Sequence, residues 1–443
     1  MIFQFKNKKK QQQEWKLKTI EYAQQLNEFI KKGILSNWED VGDEPSDNGR
    51  EKHVDSLLKE IRKANESGTY EELRENWPLA HSPLLKILEE NGQSIPTIKI
   101  LDDSRIVARI GTHYQEGYVV EIKGEKVTVV TEVEHFGATP NNEFFAFTQE
   151  NGVIVTKGWL GETVSVLPYP QGTENVPEGF DVEPFDGRII PSRLVPFPDG
   201  KRVLFVAPEG IFVLEEENAV RLLPTEEDMR EHFKWLRDEY PDDALEMSLD
   251  MEHGAVSPDG KFIVVGSQDS SHLIFNENYE LIGDIGNMSE YPHYALFNNA
   301  SDYVALNSCH FYNGITIGVE LGDLPLETEA YEDNEKVIVL EELSRVYAGV
   351  CRNDEFIIGD ASGYIRAFDK AGKQLWFHFI GSSIGDIDVT KDGKTLVCST
   401  YAGFISIISL DGKDQKDYEI GSGLHTESRR WVLWKNEPKP LIW

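Results

Sequence analysis

Residues 255–275 read AVSPDGKFIVVGSQDSSHLIF. An apolar approach meets a Pro-Asp-Gly-Lys turn, an apolar run leaves it, and a polar turn leads into another apolar run. Whether this is a lone hairpin or one copy of a repeating unit decides the fold. The turn recurs as FPDGKR at 197–202 and TKDGKT at 390–395. Looser relatives are TPNNEF at 139–144, NASDYV at 299–304, RNDEFI at 352–357 and LDDSRI at 101–106. In each, Asp, Asn, Gly or Ser tolerates the backbone angles of a tight turn. A β-branched or aromatic run then leaves it, as a strand would.

Taking one fixed position after each turn as a marker selects Ile106, Phe144, Arg202, Phe262, Tyr303, Phe356 and Thr395, at intervals of 38, 58, 60, 41, 53 and 39 residues. A base period near 40 with three insertions predicts units of four short strands, the blades of a β-propeller, and seven markers predict seven blades. Runs such as RVLFVAPEGIFVL (202–214) lack the 3.6-residue period of a helical solenoid. The fold expected is therefore mainly β, a seven-bladed propeller over 94–443 behind a helical segment at 1–93. Asp259, Gly260, Asp392 and Gly393 should lie between the first two strands of their blades. Residues 429–435 should pair with the first blade near Ile95, closing the ring and removing exposed strand edges.

The segment HGAVSPDGKFIVVGSQDSSHLIFN (253–276) resembles a blade of the Trp-Asp-repeat family, with Phe275-Asn276 where such repeats often carry Trp-Asp. GDASGYIRAFDKAGKQLW (359–376) has the same outline, with Phe368-Asp369 in that place, and its tail is similar to the Gly-Lys-x-x-Trp of quinoprotein-like repeats. The resemblance covers blades four, six and seven well and the first three poorly. It implies that His253 joins a hydrogen-bond network holding its blade together.

No apolar run approaches the ~18 residues of a membrane span, and MIFQFKNKKKQQQ at the N-terminus lacks the apolar core of a signal peptide. Cys309, Cys351 and Cys398 sit singly in apolar strand-like runs and read as buried free thiols, so a reducing cytoplasm is the expected setting. Within 1–93, Trp15, Ile20, Ala23, Leu26 and Ile30 predict a helix ending before Gly33. Val54, Leu57, Leu58 and Ile61 predict a second helix, ended by Gly68. Thr69 and Glu72 have the spacing of a capping box, and Ser82-Pro83 opens a last short helix that Gly92 closes. The stretch 36–49 reads as an acidic loop. Helices this short are marginal alone and should pack on the propeller or on a partner.

The net charge is −33. Such a surface repels nucleic acids and anionic membranes and attracts basic partners. The three insertions, at 171–187, 225–250 and 325–335, hold 20 acidic and three basic residues, so 54 residues carry about half of the net charge. The first two fall between consecutive blades and should crowd one sector of one face; the third falls within blade five and is expected to point the other way. Loops on a rigid scaffold commonly carry binding, while acidic loops also serve as solvated filler. The candidate partner-binding residues are Glu178, Asp181 and Glu183 of the first insertion, with Glu231, Phe233, Trp235, Asp238, Glu239, Asp242 and Asp243 of the second. For the aromatics two readings stand: interface anchors inside an acidic rim, or a stripe of Phe233, Leu236 and Tyr240 pinning a helix to the propeller, with Trp235 off the stripe and outward.

Motifs for metal, nucleotide or nucleophilic chemistry do not occur, so no catalytic residue, metal or cofactor is assigned. Asp386 and Asp388 could line the channel, though roles in the blade network or toward solvent suit them better. The function expected is a non-enzymatic interaction scaffold whose acidic face binds a basic protein, in its sharper form an immunity or inhibitor protein masking a toxin or nuclease. The alternative is a propeller enzyme or carbohydrate-binding protein that uses the central channel.

Overall fold

A computed structural model describes every residue except Met1, Asn37, Asp47, Asn48, Asp103, Lys413 and Asp414, and the backbone alone for 2–7. Parts of the expected acidic loop at 36–49 and of the turn at 101–106 therefore lie outside the described residues. Among the described residues the strands form seven sheets, whose four-strand meanders span 97–130, 136–167, 193–223, 253–285, 291–342, 346–379 and 384–432; Leu326–Thr328, inside the fifth span, adds a strand to the fourth sheet, and Leu441–Ile442 adds one to the seventh. This is a seven-bladed β-propeller. The chain divides into two compact units, one of residues 96–358 with 368–373, the other of 1–95 with 359–367 and 374–443.

The turn chemistry read from the sequence builds the first unit's blades. In blade four Ser257 is the hub: its N–H bonds to Phe262 O at 2.9 Å, its carbonyl accepts from Gly260 N–H at 2.9 Å, and its hydroxyl donates to Asp259 Oδ1 at 2.7 Å. Gly260 stands at φ +75°, where a side chain is strained. Asp259 and Gly260 thus lie between the strands His253–Val256 and Phe262–Gly266. The looser copies use the same device, with Asn142 (φ 54°) and Ser301 (φ 57°) in the glycine's place.

The strands between these turns are apolar throughout because both faces are buried. In Val203–Ala207, Val203, Phe205 and Ala207 join the core shared with blade two, while Leu204 and Val206 join the core shared with blade four. The third insertion departs from expectation. It leaves blade five at the far end, but Leu326–Thr328 then pairs in parallel with Leu281–Ile285 of blade four. That pairing carries Tyr331 back, its N–H bonding to Asn287 O at 2.9 Å.

In the second unit, helix α1 (Ile2–Ser36) runs past Gly33 rather than stopping before it. Gly33 is needed for close approach: a Cβ there would lie 2.4 Å from the Trp38 ring, which folds back on the helix. Helix α2 (Val54–Ser67) ends at Gly68 in the left-handed region, as expected. The capping box at Thr69 does not form. Thr69 N–H still bonds to Ala64 O at 2.9 Å, so the threonine belongs to the close of α2, and its hydroxyl meets Ser67 Oγ. Ser82–Leu84 leads into a helix over Leu85–Asn91 that Gly92 closes.

These helices pack on blade seven. Asn65 exchanges a pair of hydrogen bonds with the Ile442 backbone, and Asn27 another with Glu419 O and Gly421 N. Asp392 and Gly393 again lie between the blade's first two strands, Ile384–Val389 and Thr395–Thr400. Ring closure differs from expectation. Thr426–Val432 is the fourth strand of blade seven itself, and Leu441–Ile442 is its fifth. Among the described residues, the chain between Phe404–Ser409 and Thr426 makes no outer strand. The terminal segment therefore completes its own blade, and blade one supplies all four of its strands. Ile95 is instead tied to blade seven through Thr400 O (3.1 Å) and Ser399 Oγ (2.7 Å).

Candidate functional site

The two inter-blade insertions of the first unit pack on each other. Insertion 171–187 is held by Arg221, a buried side chain on the outer strand of blade three. It donates to Glu174 O at 3.0 Å and Gly172 O at 2.6 Å, and lies over the Phe212 ring at 4.9 Å. Burial pulls the Arg221 guanidinium below its ordinary value and Glu174 opposes this. The Glu174 carboxylate in turn accepts from the N–H groups of Gln171 and Gly172. Phe185 reaches the blade core edge-on to Phe212, and Phe180 points toward the second insertion.

That insertion carries helix α3 (Glu226–Glu239). Thr225 and Asp228 form the capping box, and three carboxylates occupy the first turn, where the helix dipole favours them. The apolar spacing is four residues, Met229 to Phe233, and this stripe is buried. The Phe233 ring lies 5.6 Å from that of Phe180, while Arg237 stacks over Phe180 at 4.2 Å and donates to Gly179 O.

Phe233 is only 3% exposed, which removes it from the candidate interface and makes it core. The alternative stripe is corrected too. Tyr240 caps the helix with non-helical angles and is exposed, so the buried partner of Phe233 is Met229. Trp235 does point outward, 51% exposed, with the rings of His232 and Tyr240 at 5.7 and 5.5 Å. Glu178, Asp181, Glu183, Glu231, Asp238, Glu239, Asp242 and Asp243 are all exposed on the two insertions.

Arg221→Leu removes two hydrogen bonds from a charged donor, each contributing about 1.5–3 kcal/mol. Amide exchange over 171–176 should therefore speed up tenfold or more, about 1.4 kcal/mol of easier local opening. Unchanged exchange would show that the insertion is held by its phenylalanines alone.

Sequence reading missed a second construction. Arg109, buried in blade one, donates to the carbonyls of Glu134, Gly111, Thr112 and Gln115, and burial lowers its pKa to about 10. It thereby shapes the loop 111–117, whose Tyr114 hydroxyl donates to Glu252 at 2.8 Å, at the start of blade four. The only sequence signal was a charge inside the strand RIVARI. Nearby histidines are held neutral: burial, with Arg109 adding, pushes His135 down to about 3, and burial takes His253 well below its ordinary value. The His253 ring meets His272 at 3.3 Å between nitrogens, inside blade four. Imidazoles tuned this far down are poorly matched to acid–base work near neutral pH.

Asp386 and Asp388 accept from the N–H groups of Ile387 and Val389, so both serve the backbone of blade seven. All three cysteines are buried, and burial pushes the Cys351 thiol up to about 11. Among the described residues no group of three or more His, Cys, Asp or Glu is placed to hold a metal, and no helix is long and apolar enough to cross a membrane. The second unit holds a cavity of about 70 Å3 lined by Arg50, His81, His378, Glu419, Glu427 and Arg430. Burial pushes Glu419 up to about 7 there.

The strands and their inter-blade insertions define a seven-bladed β-propeller. No protein-family model matches the chain, and no curated protein matches it. Among solved structures, the WD40 β-propeller domain of Doa1 aligns over 72% of this chain and 93% of its own, at 12% identity and a TM-score of 0.45. The Cps50 (Swd1) β-propeller domain of Myceliophteria thermophila aligns over 71% and 96%, at 11% identity and 0.45. The computationally designed Ika8 protein aligns over 71% and 96%, at 13% identity and 0.43.

Proposed function

We propose that the chain is a non-enzymatic protein-interaction scaffold, and that the sector built by 171–187 and α3 receives a basic protein partner. The observation that carries this reading is the mutual packing of the two acidic insertions. Buried Arg221, Met229 and Phe233 with half-buried Phe180 and Phe185 hold them, which supports reading their eight exposed carboxylates and exposed Trp235 as an ordered acidic sector. Binding then costs little ordering entropy, and charge steers the encounter. An acidic sector with an exposed aromatic ring suits a partner that ordinarily grips an anionic substrate, and masking a basic toxin or nuclease is the sharper form of the proposal.

Trp235→Ala should leave the melting temperature within experimental error and weaken partner binding by about 2 kcal/mol or more, as truncation of an interface anchor does. Binding followed by calorimetry should also weaken with salt, since exposed charges are screened beyond about 8–10 Å at physiological ionic strength. Salt-independent affinity, or tightest binding to DNA, RNA or anionic lipid, would overturn the reading.

A further inference from the structure

Blade five of the first unit presents large apolar side chains that no packing explains. Phe311 is 73% exposed, Tyr331 62% and Leu343 57%, and each stands at positive φ (52°, 63° and 86°). Bulky residues are sterically disfavoured there, and such outliers persist where the surroundings enforce them and a role retains them. A glycine would meet all three backbone demands without strain.

The positions lie along one edge. Phe311 and Tyr312 form the turn between Tyr303–His310 and Asn313–Glu320. Arg345 clamps it, its N–H bonding to Tyr312 O at 3.1 Å and Nη1 to Phe311 O at 3.2 Å, while Leu343 N–H bonds to Gly314 O at 2.7 Å. On the other side the His310 ring meets Phe311 at 4.4 Å and stacks with Tyr291 at 6.5 Å. The Tyr291 hydroxyl is held by Glu290, with Tyr331 and Asp269 as its further electrostatic neighbours. Glu290 also pairs with His310, and Asp269, Glu290 and Glu342 are exposed.

We infer that this edge is a docking surface for a protein segment carrying apolar side chains among lysines or arginines. The exposed rings and Leu343 supply the apolar anchor, the carboxylates select for positive charge, and aromatic faces add their own attraction for cations. The charge preference rests on the proposed basic partner; the apolar anchor is independent of it.

The probe is a synthetic amphipathic peptide with one leucine face and one lysine face, compared with its glutamate counterpart and with polylysine. Phe311→Gly and Leu343→Gly should each bind the leucine–lysine peptide about tenfold more weakly or worse. Both should keep or raise the melting temperature, because glycine relieves the positive φ, and polylysine binding should not change. A role confined to folding predicts the reverse, lower stability with intact binding. Equal binding of the peptide by wild type and variants overturns the inference. So does equal affinity for the glutamate peptide, patch-dependent binding to phosphatidylglycerol vesicles, or self-association abolished by the glycine variants. If Glu231→Lys with Asp238→Lys abolishes peptide binding while the glycine variants keep it, this inference falls and the acidic-sector reading stands. If the glycine variants weaken binding and the charge reversal does not, the edge stands and the sector reading falls.

Discussion

Arg430→Leu is expected to destabilise the unit of residues 1–95, 359–367 and 374–443 by about 3–5 kcal/mol at neutral pH, the usual result of stripping one partner from a buried ion pair. Arg430 and Glu427 are almost wholly buried and share two hydrogen bonds, Nε to Oε1 at 2.9 Å and Nη2 to Oε2 at 2.6 Å. Arg74 approaches the same carboxylate at 3.4 Å. Burial works to raise the Glu427 carboxyl, but Arg430 and then Arg74 override it and hold it below the ordinary value of 4.5.

A depressed carboxyl stabilises the fold above its unfolded pKa, and that contribution fades as pH falls through the folded value. With Arg430 gone, the carboxyl rises and is protonated in the fold at higher pH. The gap between wild type and variant should therefore be widest at neutral pH and narrow below about pH 4.5. Glu419 has the opposite sign: pushed up to about 7, it lets the native state bind the extra proton. Its contribution is present below the unfolded value and is lost as pH rises through about 7. Urea titrations of wild type, Arg430→Leu and the double variant with Glu427→Gln test this. The double variant should recover part of the loss, and a single variant within about 0.5 kcal/mol of wild type would mean that the pair is solvated.

Neither member of that pair was legible in the sequence. TESRRWV reads as a polar strand, and its arginines look like surface groups until the path of Arg74 from the helical segment is known. Arg109 and Arg221 pose the same problem. Arg221 satisfies carbonyls of a loop far from its own strand, Arg109 those of the loop that follows its strand and of Glu134, and nothing local marks either charge as destined for burial. The turns were legible because their chemistry is local: Ser257, Asp259 and Gly260 close on one another within six residues. Repetition of that chemistry counted the blades. Ring closure was not legible, because it depends on which distant edge the last strand meets.

The candidate site was legible in position and charge, less so in the phase of its helix. Placing Tyr240 on the stripe assumed a helix one residue too long, and with that residue outside, the buried spacing becomes Met229–Phe233. Trp235 is outward on either phase, which is why it stood as the anchor. Thr69 and Thr225 make the same point about caps. Both have an acidic residue three positions on, but Thr69 is engaged by the preceding helix through Ala64 O, and only Thr225 is free to start a new one. The blade-five edge had no signal at all, since Phe311, Tyr331 and Leu343 belong to no turn-forming class.

Trp443→Ala should cost about 3–5 kcal/mol, as large-to-small changes of a buried tryptophan do. The ring is 1% exposed, and its Nε1 donates to Trp77 O at 2.8 Å. Trp77 packs at 5.7 Å from Trp15 of α1, whose own Nε1 donates to Pro78 O at 2.9 Å. Arg74 donates to Trp443 O, and Arg430 exchanges two backbone hydrogen bonds with Trp443. The last residue thus joins the outer strands of blade seven to the tryptophans of the helical segment. Trp443→Phe fills most of the cavity and leaves one buried carbonyl short of a donor, so its cost should be nearer 1–3 kcal/mol. Hydrogen exchange should place the loss in α1, α2 and residues 426–442. Partner binding through Trp235, which belongs to the other unit, should survive in whatever fraction remains folded. Were Trp443→Ala as stable as wild type, the helical segment would have to be held by its asparagine and arginine contacts alone, and removing the Asn27 and Asn65 side chains should then release it.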